Sequence, residues 1–320
     1  MIRTSSVMKS VLLISALCLP LPALALGGAG VAAGDFLEVP VGARSMAMGG
    51  ATGSVPGDVS ALFRNPALLA GDGGQRLYFG HQEWYQGLQH ETALLALGLP
   101  GRLGSAAVHA RYLHLAPLPA YDSSLQLVGE VDVYDLAVGL SWARRFARRV
   151  DLGASVHNVQ EYLAGAVGRG WAYDVGVGLV ASGFYWSAAA RNLGAGLDYE
   201  GEHLELEQEY SLGAARYLPA LNTIVSLELR QPQYWGASVR GGVETLVADR
   251  LVLRAGYAYT AELDDAPGLP SFGLGVLLGG IGLDYSFQSQ QHLGEVHSLG
   301  VRFVGPRAPA SPYRYFRPSI

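Results

Sequence analysis

The chain has 320 residues, half of them hydrophobic, yet only 15% are charged, against roughly 25% in an ordinary soluble domain. Its 43 glycines and 17 tyrosines suit strands and tight turns better than a helix-rich, large-core enzyme. A formal charge of −5 speaks against a nucleic-acid partner, because phosphates call for a basic surface.

Residues 1–25 read as a secretory signal peptide. Arg3 and Lys9 precede an apolar run from Val11 to Leu21 that is too short to span a bilayer, and Ala23-Leu24-Ala25 supplies a small-x-small cleavage site. Cys18, the one cysteine, lies inside that apolar run after Leu17, which is the wrong setting for a lipoprotein cut. Cleavage after Ala25 leaves no thiol for disulfide or thiolate chemistry.

Residues 26–75 show no strand-like alternation. They run through Gly27, Gly28, Gly30, Gly42, Gly49 and Gly50, with apolar Phe36, Leu37, Met46, Met48, Leu62 and Phe63 spaced among them. Asp58 is placed to cap a short helix over Val59 to Arg64, which Asn65-Pro66 then stops. Such a compact segment of small residues is expected to fill a cavity as a plug; a trailing periplasmic leader would not need so many apolar side chains.

From residue 76 to 304 the pattern is strict two-residue alternation. Tyr134, Leu136, Val138, Leu140 and Trp142 share one face; Asp135, Ala137, Gly139 and Ser141 share the other. Leu251, Leu253, Ala255, Tyr257 and Tyr259 likewise alternate with Arg254 and Gly256. A soluble sandwich would place Lys, Glu and Thr opposite its apolar face. Here that face is Gly, Ala, Ser and single charges, and aromatics bracket the apolar runs, as in a transmembrane β-barrel. Strands are predicted near 76–84, 91–99, 104–115, 131–143, 150–161, 170–181, 184–192, 208–216, 223–230, 237–247, 251–260, 271–278, 281–289 and 297–304. The expectation is an all-β, antiparallel barrel of about fourteen strands in a bacterial outer membrane, with lipid around it. A tail over 305–320, carrying Arg307, Arg314 and Arg317, follows as an inert extension or a docking segment.

The stretch Asp35-Phe36-Leu37-Glu38-Val39-Pro40-Val41-Gly42-Ala43-Arg44, then Met48-Gly49-Gly50-Ala51, then Ser60-Ala61-Leu62-Phe63-Arg64-Asn65-Pro66-Ala67 resembles the N-terminal signature of PorV/PorQ family outer-membrane proteins, relatives of the fatty acid transporter FadL. The resemblance implies a FadL-like barrel of fourteen strands behind an N-terminal plug. It implies one of two functions: binding and escorting exported proteins with the components of a type IX secretion system, or a FadL-like channel for hydrophobic small molecules. Fold alone does not choose between them.

The plug and gating candidates are Gly42, Arg44, Asn65, Pro66 and Ala67, with Arg44 expected to latch onto a wall carboxylate such as Asp135 or Asp174. The lumen charges are Asp135, Asp174, Arg240 and Arg254, together with Glu228, Arg230, Glu244, Asp284 and Arg302; so many inward charges weigh against a greasy pocket. The longest loop inserts are Tyr112 to Glu130 and Asp198 to Glu209. No catalytic, cofactor-binding or metal-ligating set is legible. His297-Ser298 and His109/His114 point to opposite faces of their strands, and Gly176-Val177-Gly178 lies inside a strand, so the reading is not an enzyme.

Overall fold

The structure, a computed structural model, describes residues 32–71, 74–146, 149–261, 268–290 and 294–305. The expected signal peptide and residues 306–320 of the expected tail lie outside the described residues. The strands in chain order are β1 (Gln75–Glu83), β2 (Gln89–Gly98), β3 (Ser105–His114), β4 (Leu118–Tyr121), β5 (Leu127–Val131), β6 (Val133–Phe146), β7 (Val150–Leu163), β8 (Ala166–Ala181) and β9 (Phe184–Leu193). They continue as β10 (Leu197–Tyr199), β11 (Glu202–Leu204), β12 (Glu209–Leu218), β13 (Thr223–Pro232), β14 (Ser238–Val247), β15 (Leu251–Thr260), β16 (Leu269–Leu278), β17 (Ile281–Ser289) and β18 (Glu295–Val304).

The pairs β4–β5 and β10–β11 are hairpins within loops; the other fourteen strands close into one antiparallel ring, sealed where β1 pairs with β18 from Arg76↔Val304 to Glu83↔His297. Every predicted strand is present. Alternation explains the wall: large apolar side chains such as Leu140, Phe272 and Leu299 are more than half exposed on the outside, while Gly, Ser and charged residues face in. One end has tight turns, as at Ser182-Gly183 between β8 and β9, with φ 54° and 78° in the left-handed region a two-residue hairpin needs. The other end carries both loop hairpins, the arrangement of periplasmic turns and extracellular loops in outer-membrane barrels.

The wall departs from regularity once. Tyr173 pairs with Leu193 but Val175 pairs with Ala190, so Asp174 on β8 faces two residues of β9, Arg191 and Asn192. This is a β-bulge, with Asn192 at φ 56°. In a regular strand these neighbours would point to opposite sides. Here both are buried at 2% exposure.

Residues 32–71 sit inside the ring. Asp35–Glu38 form a single 3-10 turn; Ala43–Ala47 form one helical turn packed on β15 to β18. Val59–Phe63 form a 3-10 turn capped by Asp58, whose carboxylate accepts from Ser60 N. Pro66–Gly71 pack on β6, β7 and β8. Each buried apolar cluster joins this segment to inward-facing wall residues, as in Val41, Val59, Leu62 and Phe63 against Tyr78, Leu94 and Ala96.

Candidate functional site

Two ion networks tie the inner segment to the wall. On the β9–β13 side, Arg191 places NH2 2.6 Å from both carboxylate oxygens of Glu38 and 2.9 Å from Glu209 Oε1. Its NH1 donates to Phe63 O at 3.0 Å, and the adjacent Asn192 Nδ2 donates to Glu38 Oε1 at 2.6 Å. Arg64 NH2 reaches Glu209 at 2.7 Å; Arg230 bonds Glu228 at 2.9 Å and the Gly50 carbonyl at 3.0 Å. Glu228 also accepts from Gly53 N at 2.7 Å. The bulge therefore presents Arg191 and Asn192 together as one grip on Glu38.

Toward the short turns of β14–β18, Arg44 Nε and NH2 donate to the two oxygens of Glu244 at 2.7 and 2.8 Å. Arg254 then bridges Glu244 at 2.6 Å and Asp284 at 2.7 Å. Arg302 closes the chain, 3.5 Å from Asp284 and 3.4 Å from Asp58. Across both networks Arg44, Arg64, Arg191, Arg230, Arg254 and Arg302 are matched one for one by Glu38, Asp58, Glu209, Glu228, Glu244 and Asp284. Within these two networks each charge therefore has an opposite partner, which offsets part of the cost of taking it out of water.

Arg44 thus bonds Glu244, correcting the expectation of Asp135 or Asp174. The reason is position on the ring: its helical turn packs on β15 to β18, whereas Asp135 and Asp174 belong to β6 and β8. Asp174 accepts instead from His157 Nε2 and from Asn192 N, each at 2.8 Å. Asp135 lies inward near the loops, directly opposite Glu161. Arg240 bonds Ser238 Oγ at 3.3 Å and joins none of the salt bridges among the described residues.

The Asn65-Pro66-Ala67 element lies flat on the wall. Asn65 Oδ1 accepts from Ala67 N at 2.9 Å, a local turn, while its Nδ2 lies 3.3 Å from the carbonyls of Gly53 and of Val177 on β8. Wall glycines make room. A Cβ at Gly153 would stand 2.4 Å from Ala67 N, and one at Gly256 would stand 2.0 Å from Gly49 N. Gly42, with φ 90°, starts the Ala43–Ala47 turn in a conformation that favours glycine.

At the loop-side mouth, Phe36 and Leu37 are buried among Leu113, Ala137, Val159, Ala172, Leu197 and Leu206. The β10–β11 hairpin lies over them, paired to β8 at Leu197↔Gly170, and Ala33 forms a parallel bridge with Leu206. Glu161 fastens this corner: it accepts from Gly34 N at 2.6 Å and from the Tyr199 hydroxyl. Below, Arg111 donates to Leu37 O at 3.1 Å and stacks 5.1 Å from the Phe63 ring. Apolar side chains from five strands thus pack around Phe36 and Leu37 at this mouth, beside the charged groups of Arg111, Arg191 and Glu161.

In the loop before β12, burial first, then the Glu38 and Asp35 carboxylates, push the Glu207 carboxyl up to about 8. A folded-state value raised above the unfolded one stabilises at low pH and loses that contribution as pH rises through about 8. Amide protection factors at Ala33, whose N–H donates to Glu205 O, and at Glu207, whose N–H donates to Ala33 O, are expected to fall over that range in wild type and to level off in Glu207→Gln.

Sequence reasoning missed Glu38, Arg64, Arg191, Asn192, Glu209 and His157. Glycines recurring at inward positions, Gly153, Gly176 and Gly256, were the available signal for where the inner segment touches the wall. Among the described residues no group of three or more His, Cys, Asp or Glu is arranged to hold a metal ion.

No family model matches the sequence, and no curated protein matches it. Solved structures do. The Pseudomonas putida toluene transporter TodX aligns with a TM-score of 0.58 at 13% identity, over 82% of this chain and 96% of its own. The Ralstonia pickettii toluene transporter TbuX aligns at 0.53 and 14%, over 82% and 97%. A Pseudomonas aeruginosa FadL homologue aligns at 0.53 and 13%, over 82% and 98%. At these identities the likeness is one of fold: the chain is a fourteen-stranded antiparallel barrel with a FadL-like fold.

Proposed function

We propose that this protein is an outer-membrane channel for small hydrophobic molecules, gated at its outer mouth by residues 32–37. The observation that carries the reading is the apolar cluster between β3 and β8, which the chain fills with its own Phe36 and Leu37. A small apolar molecule offers the same chemistry as those two side chains and competes for the same space. Entry then requires that the Ala33–Leu206 bridge, the Gly34–Glu161 bond and the bonds from Arg111 and Arg191 to Leu37 O be given up, while Glu38 stays held in its ion network. That structural neighbours include two toluene transporters and a FadL homologue supports this choice over the PorV-type one.

The test is a disulfide across the gate, Ala33→Cys with Leu206→Cys; Cys18 lies in the expected leader, so the new pair is alone in the mature chain. Proteoliposomes carrying the oxidised protein are expected to take up toluene at the protein-free rate and to recover on reduction. Equal uptake in both redox states sinks the gating reading.

A second reading, binding of exported proteins in a type IX-like secretion system, draws on one feature. The β4–β5 hairpin projects from the loop end with Leu125, Leu127 and Val128 exposed at 84%, 63% and 63%. Deleting residues 118–131 while toluene uptake stays intact, and losing a co-purifying exported protein, would favour it.

A further inference from the structure

The outer wall carries a recess where a smooth lipid-facing surface would be expected. Two neighbouring rows of outward side chains cross β18, β1, β2 and β3. One runs Val301, Phe79, Ala93, Ala110; the next runs Leu299, His81, Glu91, Tyr112. The two alanines are flanked by Phe79 at 47% and Tyr112 at 37% exposure, and the wall dips between them into a groove of about 400 Å³. At its loop-side end His81 Nδ1 lies 2.6 Å from Glu91 Oε1, both side chains 43% exposed. Glu83 and Glu295 stand beyond them at the strand ends, also outward and exposed.

An ionisable pair on the bilayer face is unfavourable for a barrel, by about 2–4 kcal/mol per basic residue at midplane and less toward the interface. His81 and Glu91 satisfy one another only in part. A carboxylate has about four acceptor sites, and His81 uses one. Three carboxylates, Glu83, Glu91 and Glu295, outnumber the two imidazoles of this rim, His81 and His297 (the latter 3.7 Å from Glu295), and the groove beneath it is apolar. The matching partner has an alkyl chain on one side and a hydrogen-bonding cation on the other.

We propose that this groove is a specific lipid site on the loop-side half of the barrel, where one acyl chain of a bilayer lipid lies over Ala93 and Ala110 between Phe79 and Tyr112. The lipid's primary ammonium group donates to Glu91. The inference does not depend on what passes through the lumen. A quaternary ammonium carries the same charge without N–H groups, so it distinguishes this contact from general attraction.

The experiment uses the full-length barrel in nanodiscs of phosphatidylglycerol mixed with equal phosphatidylethanolamine and phosphatidylcholine of identical chains, released into native mass spectrometry. One phosphatidylethanolamine is expected to stay bound, preferred over phosphatidylcholine by about tenfold, the effect of one charge-assisted hydrogen bond. Glu91→Gln abolishes that preference. Ala93→Trp, which fills the groove from outside the ladder, abolishes retention of either lipid. Folding of both variants is checked by the heat-dependent gel shift of the barrel, and Ala93→Leu serves if the tryptophan variant fails it. Equal retention of the two lipids by wild type, or undiminished retention after the groove is filled, overturns the proposal.

Discussion

In planar bilayers the Gly256→Val protein is expected to conduct ions steadily where the unaltered protein stays closed. Gly256 lies on the inward face of β15, and an added Cβ would stand 2.0 Å from Gly49 N and 2.2 Å from Met48 C. Both are backbone atoms with no rotamer to give. The approach is tight from the other side too, since a Cβ on Gly49 would meet Tyr257 backbone at 2.7 Å. The strand keeps its ladder to β14 and β16, and valine suits a strand better than glycine does. The strain therefore falls on the inner segment, at or beyond the upper end of the about 1–3 kcal/mol usual for overpacking. Val239→Ala, a lipid-facing change of the neighbouring strand, is the control and should leave conductance silent. A Gly256→Val channel as closed as wild type would show that Met48 and Gly49 do not rest on this strand.

The second large effect is on stability. Arg191→Met is expected to lower stability by about 3 kcal/mol, the low end for breaking a buried pair, because Arg191 is buried whereas Glu38, its side chain 19% exposed, is left charged with some access to water. Glu209 keeps Arg64 at 2.7 Å and Arg230 at 3.6 Å, but Glu38 retains only Asn192 and an Arg64 contact at 4.0 Å. Most of the loss thus belongs to Glu38, and Arg191→Met with Glu38→Gln should recover the greater part of it. The midpoint of urea unfolding, followed by the gel shift of the folded barrel, reads both. A double variant no more stable than Arg191→Met alone would mean the Arg191–Glu38 contact does not hold the segment.

Much of the barrel could be read from alternation, because on a strand the period of two is enforced residue by residue. Arg254, Asp284 and Arg302 were placed on the inner face by parity alone. Parity fails where the chain breaks it. At the bulge, Arg191 and Asn192 occupy consecutive positions and still share a side, so no count of alternate residues finds them together. Nor does parity say who meets whom across a ring. Arg44 and Glu244 are 200 residues apart, and only the placement of the Ala43–Ala47 turn against β15 to β18 decides that they pair in preference to Arg44 and Asp174. The apolar mouth was hidden for a similar reason. It draws single residues from β3, β6, β7, β8, β10 and the loop at Leu206, and three from a segment without any period. Charge along the strands therefore concealed an apolar cluster built between them.

The seam between β1 and β18 has a consequence for how the molecule is made. Asp58 meets Arg302 across 244 positions of sequence, so this contact waits for the last strand, although residues 32–71 are synthesised before any strand exists. A closed ring has no side door. The inner segment must already lie against the unfinished wall when that strand zips home, and its ions shed their water in the same step. Filling the lumen and completing the cylinder are then a single event. Any change that holds the segment away from the wall should stall assembly at the seam, with thirteen strands joined and the fourteenth unpaired.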